Sequence, residues 1–115
     1  MSKKLIRVTK IVTTIDKIEF IFHNLDIKVT DAIEDTLIKP AIRMHIVKIA
    51  EQFTKLKEEN AFKILEKFDD STLRGISAVR NFIAHDYDSV DDNIIEDVIR
   101  YDLPKIKDIC HTIIR

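Results

Sequence analysis

An arginine and a histidine five residues apart are the residues of this sequence best suited to chemistry on a phosphate group. They are Arg80 and His85, within the segment RNFIAHDY at residues 80–87. Arginine carries a permanent charge on a planar fork that binds phosphate oxygens in pairs. Histidine exchanges protons near neutral pH. The structural alternative for the arginine is that its stem packs beside the core while its head reaches water.

The pair stands on a segment that we predict to be a helix, capped by Ser71 or Thr72 and ending near His85. Apolar residues at spacings of three and four cover one face of it, and Arg80 projects into the same arc. These residues are Leu73, Ile76, Val79 and Ile83. Five residues correspond to about 140° and about 7.5 Å along a helix, so the two side chains do not stack. They converge only if the last turn unwinds, if Arg80 extends along the surface, or if two copies of the chain face each other.

The rest of the chain also carries helical patterns. The 115 residues include one glycine and two prolines, which is too few turn residues for an all-β fold. Apolar stripes predict a first helix from about Leu5 to Leu25 and a second, capped by Thr30, to about Leu56. Pro40 either kinks the second helix or restarts it at a first-turn position. A short helix is predicted within residues 61–70.

The last predicted helix covers the C-terminal part of the chain. Ser89 and Asp92 resemble a capping box at its start. Pro104 interrupts it, and Asp102 is a candidate cap for the restart. Short joints between four main helices predict an all-α fold, an antiparallel up-and-down bundle of four to five helices in one domain, residues 1–115. A symmetric dimer would bury more of the same apolar surface.

Composition excludes several classes of site and of location. A single cysteine, Cys110, rules out an internal disulfide and a cysteine-based zinc site, and no pair of histidines has metal-ligand spacing. We therefore expect no metal and no cofactor, and a buried, inert thiol. No apolar run is long enough to span a membrane and no signal pattern opens the chain, so we expect a cytoplasmic protein. The net charge of −1 does not indicate a globally basic nucleic-acid binder.

Other polar residues have weaker claims to a function. Lys3, Lys4, Arg7 and Lys10 form a basic cluster, which is either a solvated helix start or a contact for an RNA backbone. Arg43 and Arg74 are candidate auxiliary phosphate contacts. The remaining histidines, including His45 beside the second apolar stripe, are interpreted as structural or surface residues.

The motif at residues 80–87 resembles that of a known family. Arg80, four intervening residues and His85 match the R-x-x-x-x-H signature of HEPN domains, which are helical ribonucleases and nucleic-acid-associated modules. With Tyr87 added, the string resembles the narrower HepT-like group, R-x-x-x-x-H-x-Y. Residues 102–104 and 49–51 are also similar to this group. The chain departs from it at Ala50, where glycine is usual, and before residue 71, where proline and tryptophan are frequent.

The resemblance implies a more specific function than the residue types and their spacing indicate. HepT-like proteins are toxins of toxin–antitoxin pairs that cleave RNA without metal, at a composite site in a homodimer interface. By this similarity Arg80 and His85 are the catalytic pair, and Asn81 orients the site. Tyr87 matches the tyrosine to which a nucleotidyltransferase antitoxin of the MntA type transfers AMP, which silences the toxin.

Two alternatives to an RNA endonuclease remain open on the sequence. One is a non-catalytic helical partner, or substrate-binding module, of a small nucleotidyltransferase. The other is a helical dimer of purely structural use, which explains none of the motif.

Overall fold

The computed structural model describes residues 2–115, and helices account for most of them. In chain order they are α1 (Lys3–Leu25), α2 (Val29–Ala32), α3 (Ile38–Glu58), α4 (Phe62–Leu65), α5 (Asp70–His85), α6 (Asp92–Asp97) and α7 (Leu103–Ile114). A 3₁₀ turn at Tyr87–Ser89 follows α5, and a π-helical segment at Val98–Asp102 joins α6 to α7. No strand occurs in this part of the chain. The all-α prediction is confirmed, and so are the four main helices.

Helix α1 begins and ends where the sequence predicts. The Ser2 hydroxyl accepts a hydrogen bond from the Leu5 amide at 3.2 Å, which satisfies one of the free N–H groups of the first turn. The helix stops at Asp26, which adopts a left-handed conformation with φ 47°. Its core face carries a stripe of branched residues: Val8, Ile11, Ile15 and Ile18.

Helix α3 starts later than the predicted cap at Thr30 suggests. One carboxylate oxygen of Asp35 accepts hydrogen bonds from the amides of Leu37 and Ile38, both at 2.9 Å. Lys28 precedes the single turn α2, so Thr30 caps neither helix. Pro40 lies in the first turn of α3, where its missing N–H costs nothing, so it restarts the helix rather than kinking it.

Two further predicted caps are wrong for a common reason. Asp69, rather than Ser71 or Thr72, precedes α5, and Thr72 is buried in its first turn. Asp91, rather than Ser89, caps α6 by accepting from the Asn93 amide at 2.8 Å. Serine, threonine and aspartate all cap well, so their local preference does not decide between neighbours. The prediction that α5 ends at His85 is confirmed.

The predicted break at Pro104 is a local widening of the helix rather than a new start. Proline has no N–H to donate to the preceding turn. The backbone hydrogen bonds at this point join each amide to the carbonyl five residues earlier, which is the pattern of a π-helix. The Leu103 amide bonds the Val98 carbonyl in this way, and the Asp102 side chain makes no capping bond.

Helices α1, α3 and α7 pack around a core dominated by isoleucine, and α5 packs on α3. Ion pairs between helices show which parts of neighbouring helices are in contact. Arg7, near the start of α1, meets Glu59, just past the end of α3, at 2.9 Å, so these helices are antiparallel. Lys107 of α7 bonds Asp16 and Glu19 of α1 at 2.9 and 2.8 Å. Among the described residues, no helix is long and apolar enough to cross a membrane.

Candidate active site

Helix α5 presents Arg80 and Asn81 to an open groove against α3. The groove has a volume of about 470 Å³. Arg80 is half-buried, and its Nη1 donates to Oδ1 of Asn81 at 3.3 Å. The groove is lined from α3 by Ala50, Glu51, Thr54, Lys55 and Glu58, and from α5 by Ser77, Arg80 and Asn81. Asn81 thus contacts Arg80, and the role of Asn81 in orienting the site stays a prediction.

The guanidinium of Arg80 is not neutralised by the chain itself. Glu51 and Glu58 line the same groove, but within residues 2–115 no carboxylate oxygen lies within 4.0 Å of an Arg80 nitrogen. A guanidinium that has no carboxylate partner keeps its parallel N–H donors available to an anion. The groove can therefore receive a phosphate group beside Arg80.

His85 lies at the exposed C-terminal end of α5 and is not part of the groove that Arg80 lines. The helix remains intact through His85, since the Asp86 amide bonds the Phe82 carbonyl at 2.8 Å. Unwinding of the last turn is thus excluded as a way for the two side chains to converge. Arg80 bonds Asn81, and within residues 2–115 no hydrogen bond joins it to His85. One chain alone does not bring the two together.

Tyr87 is held by a residue to which the sequence assigned another role. The guanidinium carbon of Arg43 lies 4.5 Å from the centre of the Tyr87 ring, and its Nη1 donates to the Tyr87 carbonyl oxygen at 2.8 Å. Its Nη2 donates to a carboxylate oxygen of Asp92 at 2.9 Å. Arg43 is only 2% exposed, so its assignment as an auxiliary phosphate contact is wrong. The signal was its position on the apolar stripe of α3, between Ile42 and Ile46.

The remaining candidates behave as structural residues. Cys110 is completely buried, and burial raises the pKa of its thiol to about 12, so the thiol is inert at neutral pH as predicted. His45 is half-buried, and burial, together with Lys48 and Lys17, lowers its pKa. Across the described residues, no group of three or more histidine, cysteine or acidic side chains is arranged to hold a metal ion.

Comparison with known proteins gives one match. The model of a protein family described as "Ribonuclease HepT-like" matches residues 11–113. This range includes the groove between α3 and α5, the whole of residues 80–87 and the Arg43 contact. No curated protein and no solved structure matches the chain.

Proposed function

This chain belongs to the HepT-like ribonuclease family, as residues 80–87 predicted, and we propose that it is a metal-independent RNA endonuclease with Arg80 and His85 as its catalytic residues. The observation that carries the proposal is the unpaired guanidinium of Arg80, held beside Asn81 in an open groove. The matched family is one of ribonucleases, and the groove offers a cation to a substrate phosphate.

The chemistry needs little from the protein. In metal-independent cleavage the ribose 2′-hydroxyl attacks the adjacent phosphorus, and the bond from phosphorus to the 5′-oxygen breaks. A base must take the 2′-hydroxyl proton and an acid must give one to the departing 5′-oxygen. Histidine suits both roles, which are typically worth about 10² to 10⁴ in rate. Arg80 would neutralise the crowded phosphate through paired hydrogen bonds.

A homodimer would complete this site. The intact α5 keeps Arg80 and His85 apart within one chain, and two facing copies would supply two arginines and two histidines to one cleft. One imidazole would then act as base and the other as acid. Helices α3 and α5 also carry exposed apolar side chains, Met44 and Phe82, which a second copy could bury.

We further propose that the protein is the toxin of a cytoplasmic toxin–antitoxin pair and that its partner is an MntA-type nucleotidyltransferase, which transfers AMP to Tyr87. Tyr87 is 39% exposed while Arg43 fixes its ring and its backbone. Its hydroxyl would be accessible to the transferase in a defined position. An adenylate at Tyr87 would place a bulky anion next to His85 and would hinder an RNA phosphate both sterically and by charge.

Cleavage of single-stranded RNA in excess chelator tests the catalytic proposal. We expect activity in the wild type, and a loss of about 10² to 10⁴ in rate with Arg80→Ala or His85→Ala. His23→Ala is the matched control, since His23 is an exposed histidine in the last turn of α1. A strand with deoxyribose at every position should resist cleavage because it lacks the nucleophile. Equal activity in all variants would reveal a contaminating nuclease or a different active site, and would reject Arg80 and His85 as the catalytic pair.

Mass spectrometry after incubation with the nucleotidyltransferase and ATP tests the modification. We expect the adenylate on Tyr87 and a matching loss of RNA cleavage. An adduct on Tyr101, which is also exposed, would reject the assignment. An inert wild-type protein that still binds the transferase would favour the alternative of a non-catalytic partner.

A further inference from the structure

A second groove, between α1 and α3, is lined by lysines. Its volume is about 440 Å³, and Lys10 and Lys17 border it from α1 while Lys48 and Gln52 border it from α3. No carboxylate lines this groove, in contrast to the Arg80 groove, which has Glu51 and Glu58. Different residues of α3 line the two grooves: Lys48 and Gln52 line this one, and Glu51, Lys55 and Glu58 are among those that line the Arg80 groove.

The spacing of the lysines places them in two parallel rows. Lys10 and Lys17 are seven residues apart on α1, and Lys48 and Lys55 are seven apart on α3. Seven residues make nearly two full turns, so each pair shares one helix face with about 10.5 Å between its members. Because α1 and α3 are antiparallel, Lys17 lies across the groove from Lys48. Both lysines act electrostatically on His45, which is consistent with their proximity.

Among the described residues, no carboxylate neutralises the lysines of these two rows. Lys10, Lys17, Lys48 and Lys55 make no ion pair within residues 2–115. Some basic side chains elsewhere are paired with carboxylates, as Arg7 is with Glu59 and Lys107 is with Asp16 and Glu19. Like charges gathered without counter-ions repel one another, and a bound polyanion removes that repulsion.

Lys55 connects the two grooves. It lines the groove of Arg80, and it shares the outer face of α3 with Lys48, which lines the lysine groove. Basic side chains therefore run from Arg80 over α3 to Lys17 and Lys10 of α1, with Glu51 and Glu58 among them on the Arg80 side. A row of cations that spans both grooves favours an extended polyanionic strand over an acidic protein that would dock on one face.

We propose that the groove between α1 and α3 binds the sugar-phosphate backbone of single-stranded RNA beyond the cleavage site, through Lys10, Lys17 and Lys48. The inference rests on the proposed RNA cleavage and names a substrate subsite for it. It implies that long strands bind more tightly than short ones, by a purely electrostatic contribution that is indifferent to base sequence.

Binding of two labelled 2′-O-methyl oligonucleotides to the wild-type protein tests the proposal, since a blocked 2′-oxygen prevents cleavage. One probe is long enough to leave the Arg80 groove, and the other is a dinucleotide. We expect Lys10→Ala/Lys17→Ala/Lys48→Ala to weaken binding of the long probe about tenfold or more. The slope of log Kd against log salt should fall by about 2, near 0.7 per lost phosphate contact. Binding of the dinucleotide should not change.

The control is Lys28→Ala/Lys63→Ala/Lys67→Ala, which removes the same charge from exposed lysines away from both grooves. It should leave the long probe bound as in the wild type. Equal weakening by both triple variants would overturn the subsite, because only net charge would then matter. Binding of polyglutamate in preference to the long probe would also overturn it, and would indicate an acidic protein partner.

Cleavage measured in parallel separates the two proposals. A wild-type protein that cleaves short RNA, together with a groove variant that behaves like its control, would reject the subsite and leave the endonuclease standing. A wild-type protein that binds the long probe in the groove but cuts no RNA would reject the endonuclease instead. Thermal unfolding of the triple variants verifies folding, and Lys48→Glu provides a single-residue variant that should weaken the long probe alone.

Discussion

The guanidinium of Arg43 stacks on the ring of Tyr87, with 4.5 Å between the guanidinium carbon and the ring centre. A buried side chain of α3 thereby holds the turn that directly follows the candidate catalytic histidine. The same guanidinium bonds the Tyr87 carbonyl oxygen and the Asp92 carboxylate, so it joins α3, the turn and α6. Cation–π contacts contribute about 0.5 to 1 kcal/mol at exposed sites and about 2 kcal/mol or more when desolvated, and this one joins a buried guanidinium to a ring that is 39% exposed.

Loss of Asp92 should lower the free energy of unfolding more than loss of its partner Arg43. Asp92→Ala leaves the guanidinium buried without its carboxylate, so we expect the free energy of unfolding to fall by about 2 to 3 kcal/mol. The expectation lies below the full range for buried pairs because about a third of the Asp92 side chain is exposed. Arg43→Met removes the charge together with its need for a partner and should cost less. Urea unfolding gives both values.

Asp88→Ala is the control for this comparison, since Asp88 is exposed and lies in the same turn. Its effect should stay within about 0.5 kcal/mol. If Arg43→Met proved as costly as Asp92→Ala, the apolar surroundings of the guanidinium would not be the reason for the difference.

The helices were predictable because their apolar residues recur at regular spacing on one face of each helix. Isoleucines recur at three- and four-residue spacing on α1 and α3, and the stop at His85 coincides with the end of the apolar stripe of α5. The caps were not predictable, since several residues of equal capping preference stand within three positions. The choice of Asp69 depends on distant contacts: it bonds Lys105 at 2.9 Å, and Phe68 packs edge-on against Phe53 at 5.0 Å.

The candidate site was predictable in part. The helical angle between Arg80 and His85 correctly indicated that one chain keeps them apart. The contact of Arg43 with Tyr87 joins residues 44 positions apart, and no local pattern encodes such a pairing. The lysine rows were not predicted, because their alignment across one groove depends on the antiparallel packing of α1 and α3.

Mixed dimers should reveal whether the histidines of both chains act together. With the amount of wild-type chain held constant, an equal amount of His85→Ala chain, refolded jointly with it, should reduce RNA cleavage to about half. This follows because half of the wild-type chains then pair with a mutant chain in a twofold dimer. Added His23→Ala chain should leave the activity unchanged. Undiminished cleavage with His85→Ala, despite proven mixing, would mean that each chain acts alone.

Replacing the single glycine should stabilise the protein. Gly75 lies within α5, and a Cβ added there would meet no atom within 4 Å. We expect Gly75→Ala to raise the free energy of unfolding by about 0.5 to 1 kcal/mol, because alanine loses less backbone entropy in a helix. Ala78→Gly, at an exposed position of the same helix, should lower it by a similar amount. A loss of stability with Gly75→Ala that diminishes on dilution would instead indicate a second chain close to Gly75.

His45 should make the protein less stable in mildly acidic solution. Burial lowers the pKa of His45 below its ordinary value of 6.5, and Lys48 and Lys17 lower it further. Between that lowered pKa and 6.5 the unfolded chain binds a proton that the folded chain does not bind, so stability falls as the pH drops below about 6.5. The Nδ1 atom is buried without a partner, so no acceptor offsets the charge. Urea unfolding at about pH 7 and about pH 5 should show this loss in the wild type and a smaller loss in His45→Gln. His23→Gln, at an exposed histidine, should behave as the wild type; an unchanged pH dependence in His45→Gln would assign the acid sensitivity to other groups.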